Sequence, residues 1–504
     1  MDKRQLFRLA TLLFLVVLLF LMPQFVNHVP ISNNGTLAQI FHKLAPLFNL
    51  SLSQQVTAAQ GCNGAFIWLT ILLVTRFLKM VLGWRAALFG AFLLFLTPRF
   101  IGASLLNLID IPFTFAYILS ITQIYSFARE LPKIKTKRIV FLSLSSLMTV
   151  LIHPAGLILI VYLFFFLLLS FKLQINARWH KVTNKKQAFI KLISIISSIS
   201  LAIFIVASLI AKFIYKIPVT HPFDSLSLLN NFNNTDTQIF EAYIVQQNQV
   251  PNYYLIKYLF LTIPLVTFIG ITFFFVFINK MRKELNPLLM FVVFGTLLYP
   301  IIFTYFINST ATAYWTVYYM SIPLFVILAV MGVEYVLRTI DDRYVNTIIS
   351  MVLFLLLLPP FRHVVVTAPA TSVYFNEISG TVSSAYGKFT FDYNSHFPYI
   401  ASKWLITHMY DYDIRDFKDN DTILVLTDAT INCEPYFEKL PFINVRKGSY
   451  LEFQSGVGQY FMSFANQQHP INLKNKVWPP KDAVYTIIIE DNPVATFIKQ
   501  KEVR

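Results

Sequence analysis

The sequence predicts an all-α polytopic membrane domain of about eleven transmembrane helices over residues 1–360, followed by a small extracytoplasmic α/β domain over residues 361–504. Three observations carry this. The 504-residue chain is 56% hydrophobic and only 13% charged, where soluble proteins carry about 25% charged residues. Its apolar residues gather into runs suited to crossing about 30 Å of hydrocarbon. Its excess base, a net +16, is concentrated in alternate segments between those runs, the distribution of a membrane protein rather than of a nucleic-acid binder. The apolar fraction also excludes a solvated coil. Two cysteines, Cys62 and Cys433, are too few for a disulfide scaffold or a cysteine-based zinc site.

Taken in order, the first run, Leu6–Phe25, has a basic start, a long apolar stretch and no small-residue cleavage site, which describes a signal anchor. The next five are Phe66–Met80, Ala86–Pro98, Ile111–Phe127, Ile139–Ile152 and Leu157–Phe171. The last five are Ile190–Ile214, Tyr258–Ile278, Pro287–Ile307, Trp315–Val336 and Val345–Pro359. Ala86–Pro98 and Ile139–Ile152 are short and suit only helices packed inside a bundle. With the N-terminus cytoplasmic, the inner segments hold 22 Lys and Arg, from Lys3 to Arg343, against five on the other side, Lys43, Arg99, Lys212, Lys216 and Lys257. That asymmetry sets the orientation of a multi-pass plasma (inner) membrane protein. An odd number of crossings then places the polar tail outside, with 14 Lys and Arg and 15 Asp and Glu. In the tail, Phe397–Tyr410 has helical apolar spacing, and Thr422–Thr427 and Val484–Glu490 are β-branched runs bounded by polar residues.

With so few charges near the bilayer, each ionisable group at an outer helix end is a candidate. The first outer loop, Val26–Ala65, contains no carboxylate, and Asp110 is the only acid between Asp2 and Glu130. Asp110 falls where the chain re-enters the membrane, two residues before Pro112. It is either a helix cap opposing the dipole or a carboxylate at a cavity rim, acting as base or metal ligand. Arg99 and Lys257 are each either interfacial anchors or phosphate contacts, since guanidinium and ammonium both grip phosphate oxygens. Glu241 in the long outer loop is a solvated charge or a substitute acid, and His153-Pro154 reads as a kinked turn. Five Asn-x-Ser/Thr sequons, at Asn34, Asn49, Asn233, Asn308 and Asn420, all map outside. Cys62 and Cys433 map there as well, so a disulfide between them is allowed.

A collinear set of segments carries a resemblance. Gly83-Trp84-Arg85, Leu96-Thr97-Pro98-Arg99-Phe100-Ile101-Gly102 and Asn107 to Phe113 come first, with Asn107, Asp110, Ile111 and Pro112 matching an Asn-Pro-Lys-Asp-Ile-Pro-like segment. Pro251, Tyr253, Tyr254 and Lys257 follow, then Trp315 with Tyr319 and Pro323. In the tail come Tyr374-Phe375-Asn376-Glu377, Gly380, Gly387-Lys388 and Asp392-Tyr393. Together they resemble the GT-C membrane glycosyltransferases, in the bacterial branch that includes protein O-mannosyltransferases (glycosyltransferase family 39) and lipid A aminoarabinose transferase.

The resemblance implies an enzyme that takes a sugar from a polyprenyl-phosphate carrier and transfers it, with inversion, to an acceptor outside the membrane. It implies a first-loop acid at the reacting centre, as base or contact to a divalent metal, with the catalytic candidate Asp110 beside it and Arg99 and Lys257 on the donor phosphate. Asn107, Glu241, Tyr253, Tyr254, Trp315, Glu377 and Asp392 become candidates for the substrate cavity. Two family features are degenerate. The first-loop acid is missing, and Ala313-Tyr314-Trp315-Thr316-Val317 keeps only the Trp of an Asp-Gly-Trp-Arg-His-like stretch. Either Asp110 serves alone, or Glu241, Glu377 or Asp392 stands in, or the chain is a non-catalytic relative that binds lipid-linked glycan or a partner protein. A transporter is disfavoured because no paired, Gly/Pro-broken helices occur in corresponding halves and few intramembrane charges are present to couple ions.

Overall fold

In the computed structural model the described residues are 52–103, 110–132, 134–152, 154–173, 182–215, 237–246, 251, 253–284, 289, 293, 296–297, 319–368, 370–390, 392, 396–412, 422–429, 433, 436–437, 440 and 442–500. The expected first helix, most of Pro287–Ile307, all five sequons, His153, Asn107 and Trp315 lie outside them.

The first described helix, α1 (Leu52–Leu82), turns sharply into α2 (Trp84–Phe95) at Gly83. There φ is 95°, a conformation open to glycine alone without strain, and the Gly83 N–H closes α1 onto the Leu78 and Lys79 carbonyls. A short helix the sequence reading did not anticipate, α3 (Pro98–Ala103), follows Thr97. Then come α4 (Asp110–Glu130), α5 (Thr136–Ile152), α6 (Ile158–Leu173) and α7 (Lys185–Tyr215). After a β-hairpin of β1 (Thr237–Phe240) and β2 (Tyr243–Gln246) come α8 (Tyr254–Thr262) and α9 (Leu265–Glu284). The bundle closes with α10 (Ile322–Thr339), α11 (Arg343–Leu355) and α12 (Leu358–Val366). Among the described residues five helical stretches are long and apolar enough to cross a membrane: Ala58–Leu82, Asp110–Glu130, Lys185–Ile203, Tyr319–Thr339 and Arg343–Val366.

Two expectations change. The run Tyr258–Ile278, expected as one straight span, is two helices, α8 and α9, bent by 117°. Pro264 lies at the break and has no N–H to continue the ladder. The first 360 residues are also not all-α, because the β1–β2 hairpin lies among them.

α10 is the most enclosed span, and it meets α9 backbone to backbone. A Cβ on Gly332 would lie 2.1 Å from the Gly270 carbonyl oxygen, and one on Gly270 would lie 2.6 Å from that of Ala329. Close approach through small residues is how helices gain packing where lipid and protein are equally apolar. Opposite this contact along α10, the buried Glu334 carboxylate accepts both Nε and Nη2 of Arg85 at 3.0 Å, and Nε of Arg338 at 2.9 Å. The α1–α2 turn is thereby tied to α10.

The C-terminal part is a five-stranded mixed sheet in the order β4-β3-β5-β7-β6. It comprises β3 (Ile423–Thr427), β4 (Ile443–Lys447), β5 (Tyr460–Phe464), β6 (Tyr485–Ile489) and β7 (Asn492–Lys499). β3 runs parallel to both β4 and β5, while β7 is antiparallel to β5 and β6. Helix α13 (His396–Tyr412) covers one face, with Trp404 stacked on Tyr485 at 4.2 Å and packed on Phe497 at 4.4 Å. The expected α13, β3 and β6 are present; β4, β5 and β7 were not foreseen. Cys62 is exposed on α1 and Cys433 is buried, and both are free thiols, which removes the allowed disulfide.

Candidate functional site

The break between α8 and α9 organises the region that holds most of the candidates. Ending α8 at Thr262 frees backbone carbonyls that water cannot serve inside an apolar bundle. Asn376, on the segment leading from the last bundle helix to the sheet, serves three of them. Its Nδ2 donates to Phe260 O at 2.6 Å and Ile263 O at 2.9 Å, and its backbone N–H donates to Leu261 O at 2.8 Å. Its Oδ1 accepts the Ser379 N–H at 3.0 Å and so caps a short 3-10 turn.

The same segment holds Arg99. Nε of Arg99 donates to the Tyr374 carbonyl at 2.9 Å, and the Arg99 carbonyl accepts the Tyr319 hydroxyl at 3.0 Å. The side chain is 1% exposed, its guanidinium carbon 4.9 Å from the Phe375 ring centre and 5.9 Å from that of Tyr258. Aromatic faces offset part of the cost of burying the cation. A cleft lined by Thr97, Arg99, Thr262, Pro264, Thr267 and Phe325 adjoins it and holds no more than about one water molecule.

Lys257 and Arg99 both meet one aromatic layer. The layer is made of Phe240 from β1, Tyr254 and Tyr258 from α8, and Phe375 and Phe389 from the tail, with neighbouring ring centres 4.7 to 6.0 Å apart. Tyr254 is buried with its hydroxyl on Gln238 Oε1 at 2.9 Å, and the Tyr258 hydroxyl reaches Thr390 O at 2.8 Å. The ammonium of Lys257 sits 5.8 to 6.0 Å from the ring centres of Tyr253, Phe240 and Phe389, and pairs with Glu241. Glu241 Oε2 also accepts the Tyr253 hydroxyl at 3.0 Å. The hydrogen bond from Lys257 holds the Glu241 carboxyl below the usual carboxylate range. The hairpin carrying Glu241 is fixed from the tail: Thr390 N–H donates to Ile239 O, Ile239 N–H to Thr390 Oγ1, and Ala242 N–H to Lys388 O.

The structure thus brings Arg99, Lys257, Glu241, Tyr253 and Tyr254 to one aromatic layer. Glu377 joins through Tyr374, whose hydroxyl donates to its Oε1 at 3.2 Å. Asp110 opens α4, where its backbone carbonyl accepts the Thr114 hydroxyl at 2.7 Å, and its carboxylate suits the positive end of that helix. The residues connecting it to α3, 104–109, are outside the described set. Asp392 is placed differently from a solvent-facing acid: its side chain is 2% exposed and caps α13, accepting the His396 and Phe397 N–H groups at 3.0 and 2.7 Å. His396 in turn approaches Gly102 O of α3 at 3.2 Å through Nε2. Among the described residues no group of three or more His, Cys, Asp or Glu could hold a metal ion.

Residue-type reasoning missed Asn376 and the rings of Phe240, Phe375 and Phe389 as parts of one unit. The run Tyr374-Phe375-Asn376-Glu377 was the available signal, but its partners lie more than 100 positions away. A second tie was also not foreseen: His363 Nδ1 of α12 meets Glu490 Oε1, in the β6–β7 turn, at 2.7 Å. Burial is the largest single influence and raises the Glu490 carboxyl, but the bond and charge of His363, the Val382 N–H and Arg362 together outweigh it and leave the group below the usual range.

No family model matches the chain, and no curated protein matches it. Among solved structures it is similar to the Archaeoglobus fulgidus oligosaccharyltransferase in complex with Zn and sulfate, at 11% identity and TM-score 0.43 over 86% of this chain, which spans 60% of the length of that protein. It is also similar to ArnT from Cupriavidus metallidurans bound to undecaprenyl phosphate, at 12% identity and TM-score 0.45 over 96% of this chain and 97% of that one. The apo form of that ArnT gives 12% identity and TM-score 0.43 over the same shares.

Proposed function

We propose that the chain is an integral membrane glycosyltransferase that moves a sugar from a polyprenyl-phosphate carrier to an acceptor at the sheet-bearing, extracytoplasmic end of its bundle. The observation that carries this is the pair of cations, Arg99 and Lys257, set against one aromatic layer beside a broken helix. Beside it the exposed Ile256 and Phe260 of α8 offer apolar surface to a lipid chain, while the cations offer positive potential to its phosphate.

In this reading Asp110 accepts the acceptor's hydroxyl proton as the acceptor oxygen bonds to the anomeric carbon. The bond from that carbon to the phosphate oxygen breaks, and its electron pair leaves with the phosphate. Lys257 meets the developing charge directly. Arg99, enclosed beneath the rings, contributes mainly through its field, which falls off slowly in a low-dielectric interior. Glu377 and Glu241 remain in reach of this region as alternative carboxylates.

The test is transfer of a labelled sugar from its polyprenyl phosphate by the purified full chain, with Asp110→Asn and Lys257→Gln beside it. Loss of transfer in Asp110→Asn with donor binding retained supports the reading. Binding without turnover in the wild type assigns the chain instead to a non-catalytic glycan-binding role, which the missing acid in Val26–Ala65 favours. No binding of any polyprenyl phosphate refutes both.

A further inference from the structure

We propose that Glu241 is a resident counter-anion that occupies Lys257 until a phosphate-bearing lipid displaces it, so that only a ligand bringing its own negative charge opens the pair; this rests on the reading of Lys257 as a donor-phosphate contact. The turn that carries Glu241 argues for more than a chance surface pair. Glu241 and Ala242 have φ of 54° and 67°, both left-handed. A two-residue hairpin turn of this kind prefers Asn-Gly because those residues tolerate positive φ. Here the chain places Glu-Ala there and holds the strained turn through the Ile239, Thr390 and Lys388 backbone bonds. Backbone strain sustained by its surroundings is a mark of functional sites.

The geometry suits exchange rather than permanent pairing. The Lys257 and Glu241 side chains are 37% and 30% exposed, so water and a ligand oxygen reach both. The Glu334 carboxylate, by contrast, is 7% exposed and held by two arginines. Lys257 stays oriented by three rings whichever anion it meets, and the Tyr253 hydroxyl that donates to Glu241 serves a phosphate oxygen equally well. Beside Lys257 on α8, Ile256 and Phe260 are exposed and apolar, in line along the helix, where a polyprenyl chain finds surface.

The experiment measures binding of undecaprenyl phosphate, undecaprenol and inorganic phosphate to the full chain in nanodiscs, for wild type, Glu241→Gln, Glu241→Asn and Lys257→Gln. Glu241→Gln keeps the Tyr253 contact, and Glu241→Asn also suits the left-handed turn, so at least one variant retains the fold. The expected result is a gain of about two- to five-fold in undecaprenyl phosphate affinity on removing the charge, the scale of a half-exposed ion pair. Lys257→Gln should erase that gain, and undecaprenol should show none. The same gain for inorganic phosphate places the exchange at the phosphate itself; a gain for the lipid alone ties it to the α8 surface. Lys257-dependent binding by the wild type with no gain in either Glu241 variant overturns the exchange and leaves the donor reading standing. Absence of binding in wild type and variants overturns both.

Discussion

Asn376→Ala is the most informative single substitution in this fold. It removes the two side-chain bonds to Phe260 O and Ile263 O and the cap on Ser379 N–H, while leaving the backbone bond to Leu261 O intact. Hydrogen bonds inside membrane proteins average about 0.6 kcal/mol by double-mutant cycles, whereas typical protein hydrogen bonds contribute about 0.5–1.5 kcal/mol. Two such bonds therefore give roughly 1–3 kcal/mol, and loss of a cap adds about 0.5–1 kcal/mol. The expected destabilisation is about 1.5–4 kcal/mol in all. Asn376→Asp should be at least as damaging, because it sets a carboxylate against two carbonyl oxygens. The assay is reversible unfolding in mixed micelles with a denaturing detergent, followed by tryptophan fluorescence, alongside hydrogen exchange of α8. If Asn376→Asp unfolds with the wild type, the carbonyls at the break are satisfied in some other way and the account of the bend is wrong.

Three further outcomes follow from the same packing and charge arguments. Arg85→Ala and Arg338→Ala should each cost about 1 kcal/mol or less, since both arginines are more than half exposed. The double variant strands the buried Glu334 carboxylate and should cost about 3–5 kcal/mol, so additivity in a double-mutant cycle would remove Glu334 as the shared anchor. Gly332→Ala directs a methyl group at the Gly270 carbonyl and should destabilise by about 1–3 kcal/mol or prevent assembly; an unchanged melting temperature in detergent contradicts the close approach of α9 and α10. Burial raises the Asp428 carboxyl to about 7 despite hydrogen bonds from Ser463, the Phe464 N–H and Gln468. A folded-state value above the unfolded one means this group favours folding at low pH and costs stability as pH rises from about 4 to about 7. Asp428→Asn should flatten that slope and gain about 2–4 kcal/mol at pH 8; a pH profile of stability that keeps its slope in the variant assigns it to another group.

The fold was legible where one property decided it. Apolar runs marked most helices between Phe66 and Phe171, though α1 begins at Leu52 and α3 went unforeseen, since hydrophobicity adds along a segment while polar helical turns leave no such sum. The β-branched runs Thr422–Thr427 and Val484–Glu490 became β3 and β6 for a similar local reason. Less was legible at the candidate site. Arg99 and Lys257 stood out because cations are scarce on that side, but nothing in their own windows showed that one is enclosed and the other paired with Glu241. Asp392 looked like a substitute acid and proved to be a helix cap, because Asp serves both roles and only its surroundings distinguish them.

What the sequence determined by itself, then, is a mostly helical chain rich in apolar segments, the asymmetry of charge between alternate loops and the presence of strands in the tail. Each of these is a sum over neighbouring residues. The tertiary structure decided that Tyr258–Ile278 breaks at Pro264, that a hairpin sets Glu241 on Lys257, and that Asn376 closes the open carbonyls of the break. These are polar contacts between segments far apart in the chain. A buried donor or acceptor must find a partner somewhere, but no local pattern says where, and only folding the whole chain settles it.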